Sequence, residues 1–319
     1  MLVRVLGAAA GGGFPQWNCG CQNCTLARRR DPRTRPRTQD SIAVRADCAD
    51  ASDATSQWAI VNASPDIHAQ LGHAHALHPR GPRDSPIRAI VLTNGDMDHI
   101  LGLFSLRESH PLVVHATEAV WTGLTESNAM FRTLRRFEGQ VTWKRIELGV
   151  ESQLLPGLFM RAFAVPGKLP VHLEKLREAS PEDNIGIVLR EEDGTSGAEP
   201  RRGQHVGARA AYVASAGALG PFIDSIKDVA ALFFDGTFWS SDELVKLELA
   251  KSRAEDMAHL PIGGEGGSLA RLTPQLGAMR KIYTHINNTN PILRDDSLER
   301  RAVVDAGWEV AFDGMEVEP

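Results

Sequence analysis

The chain has 319 residues, of which 42% are hydrophobic and 24% are charged, enough to fill the core of one large layered domain or two small ones. With 35 Lys and Arg residues against 40 Asp and Glu residues, the formal charge is -5, which gives no broad basic surface for a nucleic acid. The apolar runs fall far short of the roughly 20 residues that a membrane-spanning helix needs, and residues 1–13 lack the apolar segment of a secretory signal. We therefore expect a cytosolic globular protein that binds neither nucleic acid nor membrane.

Short runs rich in β-branched and aromatic residues predict strands in chain order at 2–6, 41–44, 58–62, 87–93, 112–115, 158–165, 184–189, 210–214, 231–234, 281–284 and 308–312. Helical spacing predicts helices at 66–71, 99–107, 116–137, 219–226, 241–250 and 297–306. Polar stretches without a period, at 47–57, 78–85 and 191–207, are predicted surface loops. The early strands follow one another directly and the later ones alternate with helices, which favours an αββα sandwich of two sheets between helical layers.

Three of the four cysteines are clustered. Cys19, Cys21 and Cys24 are spaced so that three thiolates can converge on one tetrahedral ion in a glycine-assisted turn, and zinc is the ion that suits such a site. A closed site needs a fourth ligand, and the sequence leaves open Cys48, a histidine, or an Asn or Asp from the C-terminal region.

Three predicted strand ends carry side chains that metal ions bind: Asn94, Asp96, Asp98 and His99 after strand 87–93, Asp235 after strand 231–234, and His285 after strand 281–284. A strand-to-helix turn aims alternate side chains at one point, so spaced residues of this kind can share an ion. The sequence therefore predicts a metal centre at this edge.

This arrangement resembles the metallo-β-lactamase superfamily, in which a strand is followed by His-x-His-x-Asp-His, a later Asp and a terminal His. Asn94 and Asp96 stand where the first two histidines of the pattern belong, whereas Asp98 and His99 match its last two residues. The third histidine of the superfamily is also missing, because Gly167 follows Val165 and Pro166. His172, five positions further on, is the alternative source of that imidazole.

A narrower resemblance is to the pyrroloquinoline quinone (PQQ) biosynthesis protein B family. It rests on Cys-x-Cys-x-x-Cys at 19–24, Asn-Ala-Ser-Pro-Asp at 62–66, the segment 96–99, Asp-Gly-Thr-Phe-Trp at 235–239, His-Leu-Pro-Ile at 259–262 and His-Ile-Asn-Asn-Thr-Asn-Pro at 285–291. The resemblance implies a single metallo-β-lactamase-like domain over residues 1–319, with a zinc knuckle at about residues 18–25.

The ligands that remain favour one metal ion over two. We expect Asp98, His99, Asp235 and His285 to hold it, with Asp96 and Asn94 as nearby polar groups that act on the substrate. Two imidazoles with one or two carboxylates suit Fe²⁺ and oxygen activation, whereas hydrolytic zinc pairs use more imidazole. His259 is the candidate proton donor or acceptor beside the metal.

The family resemblance implies a role in PQQ biosynthesis, in which a precursor built from linked glutamate and tyrosine gains oxygen on its ring. We expect an iron-dependent hydroxylase. A carrier that binds PQQ or its precursor without chemistry is the main alternative, and a hydrolase that uses a reduced metal site is a third. The sequence does not decide between enzyme and carrier, and it leaves the oligomeric state open, with a homodimer as one option.

Overall fold

The computed structural model describes residues 1–47, 56–108, 110–192 and 207–319. Its strands form two sheets of seven. The first sheet contains β1 (Leu2–Gly7), β2 (Ser41–Arg45), β3 (Trp58–Val61), β4 (Ile87–Val91), β5 (Leu112–Ala116), β6 (Val141–Arg145) and β14 (Glu316–Val317). The second contains β7 (Glu151–Leu155), β8 (Leu158–Ala164), β9 (Ile185–Glu191), β10 (Arg209–Val213), β11 (Ala231–Asp235), β12 (Arg280–Thr284) and β13 (Trp308–Val310).

Each sheet combines an antiparallel part with a parallel part. In the first, with order β14-β1-β2-β3-β4-β5-β6, strands β3 to β6 are parallel. In the second, with order β13-β12-β11-β10-β9-β8-β7, strands β10 to β13 are parallel. Parallel neighbours end at the same edge of a sheet, so the chain can place residues from distant parts of the sequence side by side at these ends.

Alternation along the strands divides the apolar residues into three layers. Val3 and Val5 of β1 and Phe233 of β11 belong to a central core that joins the two sheets. The alternate residues face outward, so that Ile60 of β3 packs in one outer layer and Phe234 of β11 in the other. Both faces of each sheet are therefore buried, which explains why the strands read as continuous apolar runs.

The helices cover the two outer layers: α1 (Gln22–Arg28), α2 (Ile67–His73), α3 (Met97–Ile100), α4 (Glu118–Thr125), α5 (Ile223–Ile226), α6 (Glu243–Lys246), α7 (Ser268–Leu272) and α8 (Leu298–Asp305). Ile67 of α2 and Val120 of α4 pack outside the first sheet, and Val303 of α8 packs outside the second. This is the predicted αββα sandwich.

The single helix predicted over 116–137 is wrong. Helix α4 ends at Thr125, and a separate 3-10 helix covers Ala129–Arg135. The side chain of Asn128 accepts a hydrogen bond from the backbone N–H of Met130 and so caps the second segment. An Asn side chain that bonds its own backbone competes with a continuous helix, which accounts for the break.

Cys48, one of the candidates for the fourth zinc ligand, lies outside the described residues, as do most of the predicted loops 47–57 and 191–207. Of the helices in the described ranges, none combines the length and the apolar character that crossing a membrane requires.

Candidate metal centre

Strand order brings the predicted ligands to one edge of the sandwich. Asp235, the last residue of β11, pairs with Thr284 of the parallel strand β12, and His285 follows directly. The chain after β4 approaches from the other sheet, where the backbone of Asn94 forms a bridge with Asn184. The three strand ends therefore meet between the sheets.

The first group consists of Asp98, His99 and His285, whose potential ligand atoms all lie within 4.8 Å of one another. Nε2 of His285 lies 3.1 Å from Oδ2 of Asp98, and Nε2 of His99 lies 3.9 Å from the same oxygen. Nε2 of His99 is buried and has no hydrogen-bond partner among the described residues. A buried imidazole nitrogen without a partner, beside a carboxylate and a second imidazole, fits a metal ion.

Asn94 fixes the orientation of His99. Its Oδ1 accepts a hydrogen bond from the backbone N–H of Asp96 at 3.0 Å, which identifies this atom as the amide oxygen. Nδ1 of His99 lies 2.8 Å from that oxygen and must therefore carry the proton. The arrangement leaves Nε2 of His99 with a free lone pair, the tautomer that a metal ligand requires.

The second group consists of Asp235, His259 and His285 and is organised by Thr237. The Thr237 hydroxyl donates to Oδ1 of Asp235 at 2.6 Å and lies 2.9 Å from Nδ1 of His285 and 3.1 Å from Nδ1 of His259. Oδ2 of Asp235 accepts from Nδ1 of His259 at 2.8 Å and from the backbone N–H of Ala216 at 2.9 Å. With the backbone N–H of Thr237 also donating to Oδ1, the lone pairs of this fully buried carboxylate are occupied.

Burial and neighbouring charges set the pKa values of the first group. Burial alone would lower the pKa of His285, but the hydrogen bond and the charge of Asp98 raise it to about 9. Burial opposes ionisation of Asp98, yet the neighbouring imidazoles hold the pKa of Asp98 below its ordinary value. The pKa of His99 is lowered, mainly by burial. Asp98 is therefore an anion, and His285 without a metal is protonated at neutral pH.

The four predicted ligands are divided between these two groups, which share His285. Asp98, His99 and His285 belong to the first group, whereas Asp235 belongs to the second, together with the predicted acid–base residue His259. Asn94 is buried behind His99. His172 is in neither group, although its ring lies beside the same cavity.

A cavity of about 270 Å³ opens onto both groups. Its polar end is formed by Asp96, Asp98, His99, His259 and His285. Its walls are lined by Met97, Val171, Phe238 and Met257, and its remaining polar residues include Lys168, Ser215 and Asn287. Asp96 is thus at the cavity surface, and both its burial and the nearby Asp98 raise its pKa. The dimensions and the mixed lining suit a small aromatic molecule with polar substituents.

The cysteine cluster is formed by the start of α1. Cys21 caps this helix by accepting from the backbone N–H of Cys24, and the sulfur atoms of Cys19, Cys21 and Cys24 lie within 4.8 Å of one another. The Asn288 side chain is 3.3 Å from Sγ of Cys24 and 3.8 Å from Sγ of Cys21. Three thiols thus converge on one point with an amide beside them, and three sulfur atoms spaced in this way could hold a metal ion.

Hydrogen bonds and burial shift the pKa values of Cys19 and Cys21 in opposite directions. Burial opposes ionisation of Cys19, but hydrogen bonds from Cys21 and its neighbours lower the pKa of Cys19 overall. Burial raises the pKa of Cys21 to about 12. Cys21 therefore needs a bound cation nearby to ionise at neutral pH.

Sequence reasoning missed three residues of this region. Thr237 was recognised only as part of a motif, although its position two residues after a strand-end Asp is a turn signal. Asp40, directly before β2, is fully buried beneath the site and accepts hydrogen bonds from the hydroxyls of Tyr212 and Thr284. Lys168 stands in the segment that lacks the third superfamily histidine, and no motif marks it.

The comparisons with known proteins identify the family of this chain. Residues 57–286 match the family described as "Beta-lactamase superfamily domain". Coenzyme PQQ synthesis protein B of Methylobacterium sp. (strain 4-46) is 42% identical over 317 residues, covering 99% of each chain. The protein of the same name from Rhizobium meliloti (strain 1021) is 43% identical over 318 residues, covering 99% of this chain and 97% of the relative.

Solved structures of the same family and fold also match this chain. The crystal structure of Zn²⁺-bound PqqB from Methylobacterium extorquens matches with a TM-score of 0.88 and 38% identity, covering 100% of both chains. A diphosphatase from the PhnP family matches with a TM-score of 0.66 and 20% identity over 100% of this chain and 97% of the other, which is a likeness of fold alone. The chain belongs to the coenzyme PQQ synthesis protein B family, within the metallo-β-lactamase superfamily.

Proposed function

We propose that this chain acts in PQQ biosynthesis as an iron-dependent oxygenase that hydroxylates the ring of a tyrosine-derived precursor. The names of its relatives support the pathway. One observation supports the chemistry: Asp98, His99 and His285 form a group of two imidazoles and one carboxylate at a cavity. Such a group with open positions is typical of non-heme Fe²⁺ oxygenases.

In this proposal Asp98, His99 and His285 hold the iron. Asp235 instead orients His259 and, through Thr237, His285, because its own lone pairs are already occupied. Bound iron would supply the open coordination positions and the electrons with which dioxygen is activated.

The overall reaction requires dioxygen and an external two-electron reductant. One oxygen atom is inserted into an aromatic C–H bond and gives a ring hydroxyl. The second oxygen atom leaves as water after it takes up two electrons and two protons. Atoms and electrons balance only with that reductant, so the assay must contain one, such as ascorbate.

The chain's own residues bind and orient the substrate and move protons. Nδ1 of His259 is bonded to Asp235, so its Nε2 is the atom available to exchange a proton in the cavity. Asp96, also at the cavity surface, is the second candidate for proton exchange, since its raised pKa favours uptake of a proton. Met97, Phe238 and Met257 provide apolar surface for an aromatic ring.

We further propose that Cys19, Cys21 and Cys24 bind a structural zinc ion, with Asn288 as the fourth ligand. The amide of Asn288 can present its oxygen instead of its nitrogen by a flip, because the two assignments are nearly indistinguishable in shape. The described cysteines form no disulfide, which suits a reducing compartment, and we place the protein in the cytoplasm.

The test is a single-turnover experiment on the full chain. Protein reconstituted anaerobically with Fe²⁺ is mixed with the precursor and reductant, and then with oxygen. We expect a product heavier by one oxygen atom, and none with Zn²⁺ in place of Fe²⁺. His99→Ala should abolish the product, whereas His78→Ala, which changes a histidine outside the cavity, should not.

Tight precursor binding without any product from Fe²⁺-loaded protein would overturn the oxygenase and favour a carrier. Circular dichroism of His99→Ala checks that the variant folds. The Zn²⁺-loaded wild-type protein provides the same comparison without a substitution.

A further inference from the structure

The cavity at the metal centre contains a lysine that has no assigned role. Lys168 is the only Lys or Arg among the described residues that line it. The Lys168 side chain is half-buried, and within the described chain it forms no hydrogen bond or ion pair. A lysine that lines a cavity without a partner among the described residues can pair with an anionic ligand there.

The backbone around Lys168 is held firmly. A Cβ atom added to Gly167 would lie 2.6 Å from the Asn184 side chain, so the chain passes too close to Asn184 for any larger residue. The carbonyl of Pro166 accepts from the backbone N–H of Gly217 at 2.7 Å. The position of Lys168 is therefore set by the packing of its neighbours.

The other charged residues that line the cavity belong to the metal centre or lie beside it. Asp96 and Asp98 line the cavity on the side of the metal centre, together with His99, His259 and His285. Asp96 and Asp98 would repel an anionic group on a substrate, and Lys168 is the lining residue outside the metal centre that would attract one. The apolar walls formed by Phe238 and Met257 suit an aromatic ring that shares the cavity with such a group.

We propose that Lys168 binds a carboxylate of the substrate and so selects aromatic substrates that carry one. The inference rests on the proposed function for the identity of the ring, a phenol, but not for the charge preference. Lys168 is a substrate-binding residue in this proposal and takes no part in oxygen chemistry.

The test measures binding without turnover. The full chain, loaded with Zn²⁺, is titrated with para-hydroxyphenylpropionate and with para-ethylphenol, which differ in the carboxylate. A hydrogen bond to a charged group predicts that the carboxylate compound binds about ten- to a hundredfold more tightly to the wild-type protein.

The variants identify the source of that preference. Lys168→Met should bring the ratio of the two affinities close to one while it leaves para-ethylphenol binding unchanged, and Lys168→Arg should keep most of the preference. Lys175→Met, which changes an exposed lysine outside the cavity, is the matched control and should keep the wild-type ratio.

Three results would overturn the proposal: no binding of either compound to the wild-type protein, equal binding of both, or a wild-type ratio in Lys168→Met. The last would assign the preference to the metal or to another residue. Because binding is measured with Zn²⁺, failure of hydroxylation in the separate Fe²⁺ assay overturns the proposed function without affecting this result.

Discussion

Replacing the buried residue Asp40 by Asn should make the stability of the protein fall less as the pH rises from about 4 to about 7. Asp40 is fully buried, and mainly for that reason its pKa is raised to about 6, although hydrogen bonds from Thr284 and Tyr212 favour the charged form. In the unfolded chain an Asp titrates near pH 3.9. The folded protein therefore holds this proton more tightly than the unfolded chain does.

Asp40 therefore contributes most to the free energy of unfolding at low pH. The contribution of Asp40 to the free energy of unfolding is fully present below about pH 4 and is lost as the pH rises to about 6. A difference of about 2 pKa units corresponds to about 3 kcal/mol, of which most is lost between about pH 4 and pH 7. Asn cannot titrate, and its amide can still bond the two hydroxyls.

The assay is urea unfolding of the metal-free chain at about pH 4 and pH 7. At each pH, the free energy of unfolding of the wild type is subtracted from that of Asp40→Asn. This difference should be about 2 kcal/mol more positive at pH 7 than at pH 4. Asp228→Asn, which changes an exposed acid, is the control for the general loss of one negative charge. If Asp40→Asn differs from the wild type by the same amount at both pH values, the raised pKa of Asp40 is refuted.

Three other predictions test neighbouring parts of the site. The pKa of His285 is raised to about 9, so a divalent cation that binds at this centre, with zinc already in the cysteine site, should release about one proton at pH 7 and none above about pH 10. Calorimetry in buffers of different ionisation enthalpy measures the release, and no release at pH 7 would contradict the prediction. Thr237→Val removes a hydroxyl bonded to the Asp235 carboxylate and should lower the free energy of unfolding, measured in urea, by about 2–3 kcal/mol. The control Thr142→Val, which changes an exposed threonine, should have little effect. Equal losses in the two variants would refute the role of Thr237. Cys24→Ser should remove about one equivalent of zinc per chain by elemental analysis and leave the iron content unchanged, and an unchanged zinc content would count against the cysteine site.

The sequence predicted the buried strands well because their side chains are apolar on both faces. Every predicted strand has a counterpart, including β4, β11 and β12, which lead into the metal centre. The sequence missed β6 and β7, since most of their side chains are exposed or half-buried and form no apolar run. Strand β14 has only two residues and shows no period.

The site was predictable at the level of residue types but not of their partners. The predicted strand ends identified Asp98, His99, Asp235 and His285, because metal-binding side chains that closely follow an apolar strand indicate a site in the sequence itself. Their division into two groups depends on hydrogen bonds made by Thr237, and the cysteine site includes a helix where the sequence predicted a turn. Such contacts join residues far apart in the chain, and one sequence carries no signal for them.

The most direct test of the central claim is the origin of the oxygen atom in the product. Fe²⁺-loaded protein, reductant and the tyrosine-derived precursor are exposed to dioxygen labelled with the heavy isotope, and the product is analysed by mass spectrometry. The proposed oxygenase predicts one labelled atom on the aromatic ring. A ring hydroxyl whose oxygen comes from water, or a precursor recovered unchanged, would contradict it.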